Sequence, residues 1–285
     1  MASCFKIKKI VHKKKTMVFW FQRGMAFLPI FLVVWTYLTF MTSYIIAVSR
    51  GDVDPGFPYI SDTGARRPES SIFGQMLNIS AVAALACLYI RYQQVDGYLE
   101  KLEMTKFNIV NRLNKIGMFF SVLICLGISL VANFQETSVL YVHLVGAMLA
   151  FGLGTLYEFL QTYITYKMHP EVNGRRIFHA RLAVCVVSLM AFVGGFIATS
   201  CTTAVNKAGD IKFHWKPGQP GYSAHLASTI LEWVLAGSFL AFFFTFIRDF
   251  QQITIGTNTE LHHETLYHDG VEQLHDERED RDIVA

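Results

Sequence analysis

The feature that most constrains this chain is a set of long apolar segments that contain almost no charged residues. Each is about 18 to 23 residues long, close to what a helix needs to cross a hydrocarbon core about 30 Å thick. Only 16% of the 285 residues are charged and the mean hydropathy is +0.34, whereas soluble domains carry about 25% charged residues. Because the runs are continuous rather than alternating, helices are favoured over a barrel. Six candidates result, at about 26–48, 72–91, 116–132, 138–160, 182–200 and 228–247.

The distribution of lysine and arginine predicts how these helices are oriented. If the N-terminus is cytosolic, 19 of the 25 Lys and Arg residues fall in cytosolic segments and 6 on the other side. Cytosolic loops of membrane proteins carry such an excess. We therefore predict an all-α integral membrane protein with six transmembrane helices and both termini cytosolic. Its parts are a basic cytosolic arm (1–16), a six-helix membrane domain (17–252) and a disordered cytosolic tail rich in acids and histidines (253–285).

The basic arm is predicted to contact lipid rather than to be a cleaved signal. Lys13, Lys14 and Lys15 precede the first apolar run, and such a cluster is attracted to the anionic cytosolic leaflet. The run itself continues through Val48 and is too long for the apolar region of a signal peptide. Met17 as an alternative start and lipidation of Cys4 both stay open.

Polar residues near one end of the predicted bundle form a candidate cluster. Asp62 lies in the loop after the first helix, and His143, His225 and Glu232 lie near the same end of the fourth and sixth helices. Polar groups within a membrane are costly and often functional. Three interpretations stay open, namely a buried hydrogen-bond network, a pocket for a lipid headgroup or ligand, and a metal-dependent hydrolase. The spacing of known zinc motifs is absent, so we predict no metal and no cofactor.

One face of the fourth helix is small and polar. Gly146, Ala150 and Gly154 are spaced four residues apart, which lets a neighbouring helix approach closely. The preferred interpretation is a helix-packing stripe, and a substrate path along it is the alternative.

The loop at 54–70 is predicted to be a folded cap over the helix ends. Its prolines and glycines restrict and turn the backbone, and Arg66 and Arg67 are expected to pair with nearby acidic residues. The letters Asp62-Thr63-Gly64 suggest an aspartic protease, but that chemistry needs two carboxylates sharing one proton. Nucleotide-binding loops and nucleophile elbows are also absent from the sequence.

Several motifs in a fixed order resemble the DRAM family, the DNA-damage-regulated autophagy modulators. They extend from about Phe19 to Gln252 and include PYISDTG, VANFQ, WKP, EW and FIRDFQ. The positions that carry the resemblance are Pro58, Tyr59, Asp62, Gly64, Asn133, Gln135, Trp215, Pro217, Arg248 and Asp249.

The resemblance implies six spans, residence in lysosomal or late endosomal membranes, and a non-catalytic, positive effect on autophagy with a link to cell death. Membrane lipids and autophagy or sorting-machinery proteins are the expected partners, and no nucleic acid is expected. The tail ends in a degenerate acidic dileucine signal with Ile283-Val284, which leaves the Golgi and the plasma membrane as alternative locations. The alternative function is a lipid transporter, a scramblase-like protein or a lipid-modifying enzyme that uses the polar cluster.

Overall fold

The computed structural model describes residues 24–101, 108–205 and 213–253, and all regular structure there is helical. A single π-helical turn at Met148–Gly152 separates two of the α-helices. The α-helices are α1 Phe27–Arg50, α2 Ile60–Thr63, α3 Glu69–Lys101, α4 Asn108–Asn133, α5 Leu140–Ala147, α6 Leu153–Lys167, α7 Arg175–Val205, α8 Tyr222–Phe244 and α9 Ile247–Phe250.

Six helical segments in the described ranges are long and apolar enough to cross a membrane, which confirms the predicted fold class. Two of them combine shorter elements, namely Leu140–Lys167 (α5, the π turn and α6) and Tyr222–Phe250 (α8 and α9). Large apolar side chains such as Tyr141, Met190 and Phe196 are exposed on the outside, where lipid replaces water. The cytosolic placement of both termini stays a prediction.

The helices extend beyond the predicted apolar segments. The third span, for example, begins at Asn108 rather than near residue 116, and the second continues to Lys101 rather than ending near residue 91. The prediction followed apolar composition, whereas backbone hydrogen bonding continues through the polar flanks. Hydropathy therefore predicts the number of spanning helices better than it predicts the residues at which each helix begins and ends.

The spans form a ring in the order α1, α3, α4, α5–α6, α7 and α8, with a limited contact between α8 and α1 closing it. The short turn after Asn133 makes α4 and α5 antiparallel neighbours, as its length predicts. In its most apolar window, α3 is 50% buried and α7 is 17% buried, so α3 is the most buried span and α7 is the most lipid-facing.

The bundle has two ends. We call the end that carries residues 51–68, 134–139 and 213–221 the loop end, and the end that carries Gly24 and Ile253 the termini end. At the termini end the Met25 amide donates to Phe250 O at 3.0 Å. Gly24 adopts a φ of 56°, and a Cβ there would lie 2.6 Å from Ile253 O, so only glycine fits.

Some predictions lie outside the described residues. These are the basic arm 1–16 with its leaflet contact through Lys13, Lys14 and Lys15, and the tail from Thr254 onward with its sorting signal.

Candidate functional site

Residues 51–68 fold into a cap that is bonded to the last turns of α1 and to the middle of α8. The Tyr44 hydroxyl on α1 donates to Pro55 O at 2.8 Å. The Trp233 indole N–H on α8 donates to Pro58 O, also at 2.8 Å. These bonds fix the path of the loop at Pro55, which is exposed, and at Pro58, which is buried. The segment is therefore a built surface, as its proline and glycine content predicts.

Glu232 anchors the helix inside the cap. Its Oε2 atom accepts a hydrogen bond from the Ile60 amide at 2.9 Å, and Ile60 is the first residue of α2. The first amides of a helix have no partner within the helix, so a carboxylate there acts as a cap. Glu232 thus ties a membrane helix to the loop through a side chain to backbone bond.

His225 lies in an aromatic stack on the other side of the cap. Its ring stacks on Trp215 with centroids 4.5 Å apart and meets the edge of Tyr59 at 5.3 Å. The Tyr59 hydroxyl is hydrogen-bonded to Ser228. Burial raises the pKa of Tyr59 above its ordinary value of 10.0, so this hydroxyl stays protonated at any physiological pH.

Ion pairs hold the outer edge of the cap. Arg66 Nη1 lies 2.9 Å from Asp52 Oδ1, and Arg50 Nε lies 3.1 Å from Asp52 Oδ2. The hydrogen bond from Arg66 is the main cause that lowers the pKa of Asp52 below its ordinary value. The pairing predicted for Arg66 is confirmed, and Asp52 is its partner.

Three residues of the predicted cluster make contacts of their own at the loop end. His143 bonds through Nδ1 to Phe134 O at 2.8 Å, His225 is held in the ring stack, and Glu232 accepts the Ile60 amide. Asp62 is buried in α2. Across the described ranges, no three His, Cys, Asp or Glu side chains are grouped as a metal ion requires. A shared role for the four residues stays a prediction.

The Asp62-Thr63-Gly64 motif has a packing explanation. The Thr63 hydroxyl donates to Ile60 O at 2.7 Å, which closes the single turn of α2. A Cβ on Gly64 would lie 2.5 Å from the Phe73 ring. Glycine is required at this position because the aromatic ring of α3 lies directly against the backbone.

A cavity of about 150 Å³ lies in the centre of the bundle, between α1, α3, α4, α5–α6, α8 and the underside of α2. Most of its lining is aliphatic or aromatic. Four of its lining residues are ionisable, namely His143, Tyr157, Glu158 and Glu232. The cavity therefore links the loop end to the membrane interior.

The small residues of the predicted stripe contact two different helices. A Cβ on Gly146 would lie 2.8 Å from Leu130 Cβ of α4, and one on Gly154 would lie 2.9 Å from the Phe239 ring of α8. Ala150, in the π turn between them, lines the cavity together with Gly154. Since π turns often mark functional sites, the stripe combines close helix approach with one wall of the cavity.

A second polar site, at the termini end, was missed by the sequence analysis. Arg91 on α3 and Arg181 on α7 are completely buried. Their guanidinium groups share one carboxylate oxygen, Asp249 Oδ2 in α9, at 3.3 Å and 2.6 Å. Two cations against one anion leave an excess positive charge, which is costly away from water.

The ring of Phe246 offsets part of this charge. The Arg181 guanidinium lies 4.8 Å from the ring centroid and the Arg91 guanidinium lies 5.4 Å from it, both within cation–π range. Arg91 Nε also donates to Gln161 at 3.2 Å, whereas its Nη2 atom has no hydrogen-bond partner in the described part of the chain. The site joins four of the six spans through side chains.

Residues 24–253 match the family described as Frag1/DRAM/Sfk1/Cwh43P N-terminal domain. The chain belongs to this family. The match covers every described helix of the bundle, and it confirms the resemblance that the sequence motifs indicated.

Three named relatives are similar to this protein over most of its length. DNA damage-regulated autophagy modulator protein 2 of Homo sapiens is 42% identical over 252 residues, which cover 88% of this chain and 93% of the relative. DNA damage-regulated autophagy modulator protein 1 of Mus musculus is 41% identical over 241 residues, 85% and 97% of the two chains. Modulator of macroautophagy TMEM150B-B of Xenopus laevis is 33% identical over 227 residues, 79% and 85%. No solved structure matches.

The Frag1/DRAM motif positions are distributed over both ends of the bundle. The Asn133 and Asn78 side-chain amides exchange hydrogen bonds at 3.0 Å and 3.1 Å between α3 and α4. Gln135 O accepts the amides of two following residues at 3.0 Å each and closes the turn. Pro217 and Arg248 are exposed. These positions therefore hold turns, the cap and the buried arginine site.

A signal for the missed arginine site was present in the sequence. Arg91 and Arg181 stand at the edges of apolar segments, where positive charges are normally counted as markers of topology. Asp249 was noted only as part of a family motif. Asp249 also borders an apolar segment, at the same end of the bundle as the two arginines. A carboxylate in that position indicates an ion pair between helices.

Proposed function

We propose that this protein is a positive modulator of autophagy that acts in the membrane of the lysosome or late endosome. The observation that supports this proposal most strongly is the 42% identity over 252 residues to a human protein named as an autophagy modulator. The relatives from other vertebrates carry the same kind of name. The similarity extends over the cap and the arginine site as well as the apolar helices, so the shared part is the whole membrane domain.

A non-catalytic role is supported by what the loop-end side chains contact. His143, His225 and Glu232 are each engaged in holding backbone or rings in place. The alternative is a lipid transporter, a scramblase-like protein or a lipid-modifying enzyme. Purified protein in liposomes with labelled lipids separates the two. Flip-flop or turnover above that of empty vesicles would contradict the modulator, and rates equal to empty vesicles are expected.

The outer surface of the cap is the proposed contact for a partner protein. Phe57 is 55% exposed and adopts a φ of 53°, a conformation that is unfavourable for a bulky residue. Unfavourable backbone conformations cluster at binding sites, and aromatic side chains are enriched among the residues that anchor interfaces. In the predicted orientation this partner is a protein on the lumenal side. Separately, sorting-machinery or autophagy proteins are the proposed partners on the cytosolic side, where Lys13, Lys14 and Lys15 are proposed to contact the anionic leaflet.

Re-expression in cells that lack the protein tests the proposal. Wild-type protein is expected to colocalise with a lysosomal membrane marker and to restore autophagic flux, measured as marker turnover with and without a lysosomal inhibitor. Unchanged flux, or residence in the Golgi or the plasma membrane, would contradict it. Orientation is tested separately, since a glycan acceptor inserted in the cap should be modified and one in the loop between α3 and α4 should not.

A further inference from the structure

We propose that the first turn of α7, at the termini end of the bundle, binds the headgroup of a phospholipid that carries a phosphate monoester. Arg175 and Arg176 bind the phosphate oxygens, and the side-chain amide of Asn173 donates to one of them. This site goes beyond the proposed function, because it lies at the opposite end of the bundle from the cap surface that the proposed function uses.

The first turn of α7 carries basic side chains where a helix is already positive. The helix begins at Arg175, and no acidic residue lies in its first turn. Arg175 and Arg176 are both exposed. The first amides of a helix have no partner within it, and the helix dipole places about half a positive charge there. Two arginines at this position repel the helix end, and a bound anion reverses that repulsion.

A buried amide group directly before this turn has an unused donor. Asn173 is 5% exposed, and its Nδ2 atom has no hydrogen-bond partner within the described ranges. The carbonyl of the next residue, Gly174, accepts the Ile177 amide at 3.2 Å, so Asn173 lies at the start of the helix. A side-chain amide nitrogen can only donate. The partner that this buried group needs is therefore an acceptor, such as a phosphate oxygen.

The backbone beside Asn173 leaves room for a phosphate group. Gly174 is exposed, and a Cβ added to it would meet nothing within 4 Å. Glycine has no side-chain oxygen that could accept the first amides of α7, as a serine or an aspartate would. A phosphate at the N-terminus of a helix accepts from those amides, so it fills the place of a capping side chain.

The neighbouring end of α6 places this turn at the membrane surface. The Lys167 ammonium lies 5.4 Å and 5.9 Å from the ring centroids of Tyr163 and Tyr166. The Tyr166 ring lies 5.3 Å from that of Phe178, in the first turn of α7. Tyrosine and lysine mark the boundary between hydrocarbon and water, which is the depth of lipid headgroups. In the predicted orientation this is the cytosolic leaflet, which carries the anionic lipids.

The charge of this region suits a phosphate monoester better than a diester. Residues 167–179 contain three basic residues, Lys167, Arg175 and Arg176, and one acidic residue, Glu171. A phosphate monoester carries about −1.5 to −2 charges at pH 7 and has three acceptor oxygens. A diester carries less charge and has fewer free oxygens. The monoester therefore matches both the excess of positive charge and the number of donors around the first turn.

Lipid binding to the purified full chain tests the site. Native mass spectrometry from detergent micelles measures which lipids stay bound, with phosphatidic acid as the monoester probe and phosphatidylglycerol as the anionic diester. Wild-type protein is expected to retain phosphatidic acid about tenfold more strongly, the factor that one charge-assisted hydrogen bond supplies. Arg175→Gln combined with Arg176→Gln is expected to remove this preference, and it should fold because both side chains are exposed.

The matched control removes the same charge from another helix at the termini end. Arg112 and Lys115 are exposed near the start of α4. Arg112→Gln combined with Lys115→Gln is expected to keep the preference for phosphatidic acid. An equal loss of preference in the two double variants would overturn the proposal, because it would show a general attraction to positive charge.

Asn173→Ala separates the buried donor from the arginines. It is expected to weaken the retention of phosphatidic acid and to leave that of phosphatidylglycerol unchanged. Unchanged retention of both lipids would remove Asn173 from the site. Equal retention of the two lipids by wild-type protein would overturn the proposal. Displacement of phosphatidic acid by an equal concentration of inorganic phosphate would overturn the assignment to a lipid headgroup.

Discussion

At the termini end of the bundle buried charges meet each other, whereas at the loop end a buried carboxyl group meets backbone. Arg91 and Arg181 share Asp249 and a flanking aromatic ring. Glu232 instead accepts the amide of Ile60. The arginine site therefore depends on side chains from several spans, and the loop end depends on the conformation of one loop.

This difference indicates which end of the bundle maintains the fold and which end can respond to a partner. A charge cluster that links four spans resists separation, because removing one partner leaves an uncompensated buried charge. A cap held by single hydrogen bonds and by ion pairs of half-exposed arginines needs less free energy to distort. We infer that the termini end maintains the bundle and that the loop end is where a partner acts.

Asp249→Asn is expected to have the largest effect on stability. It leaves two buried guanidinium groups without a carboxylate, and breaking a buried pair costs about 3 to 5 kcal/mol. The measurement is thermal unfolding of purified protein in detergent, with steady-state abundance in cells as a second readout. Arg248→Ala, at the exposed neighbouring position, is the control and should unfold like wild type. An unchanged unfolding temperature for Asp249→Asn would contradict the role given to this site.

Glu232→Leu is expected to loosen the cap without separating the helices. The Ile60 amide loses its acceptor, at a cost of about 1 to 3 kcal/mol. Limited proteolysis should cut within residues 51–68 faster than in wild type. Glu232→Gln retains an acceptor oxygen and should be cut at nearly the wild-type rate. If both variants are cut at the wild-type rate, the bond does not hold the cap.

Gly64→Ala tests the close approach of α3 to the cap. The new methyl group would lie 2.5 Å from the Phe73 ring, and overpacking of this kind costs about 1 to 3 kcal/mol. Gly97→Ala, within α3, is the control: its new methyl group meets nothing within 4 Å, and it is expected to be neutral or to stabilise by up to about 1 kcal/mol. Comparison of their unfolding temperatures is the measurement, and equal temperatures would refute the packing explanation of the motif.

The smallest expected effect concerns the ion pair between Asp52 and Arg66. The pKa of Asp52 in the folded protein is below its ordinary value of 3.8, so the pair contributes stability above that pH and loses it as the pH falls further. Arg66→Ala should therefore cost up to about 1 kcal/mol, equally at pH 7 and pH 5. An effect that disappears between those two values would show that another group titrates.

The helices were predictable because length and apolar composition are direct requirements of a bilayer. The cap was also predictable in outline, since proline and glycine in 54–70 restrict the backbone. Its anchors were not, because the bond from Ile60 to Glu232 joins residues 172 positions apart. Periodicity places a side chain on a face of its own helix and carries no information about the neighbouring helix.

The arginine site shows the limit most clearly. Arg91 and Arg181 were counted as charges that set topology, and their complete burial depends on how α3, α7 and α9 pack. The same holds for Glu158 in the fourth span, which is 2% exposed. Its burial is a property of the surrounding helices.

The central claim is that a partner acts at the loop end. The most direct test measures how much autophagic flux two surface variants restore. Phe57→Ser changes the exposed surface of the cap, and Arg248→Ala changes the exposed surface of the termini end. Both are expected to reach the lysosomal membrane at wild-type levels in cells that lack the protein. The account predicts that Phe57→Ser restores clearly less flux per molecule than wild type, whereas Arg248→Ala restores it fully. Full restoration by Phe57→Ser would contradict the claim that the loop end is where a partner acts.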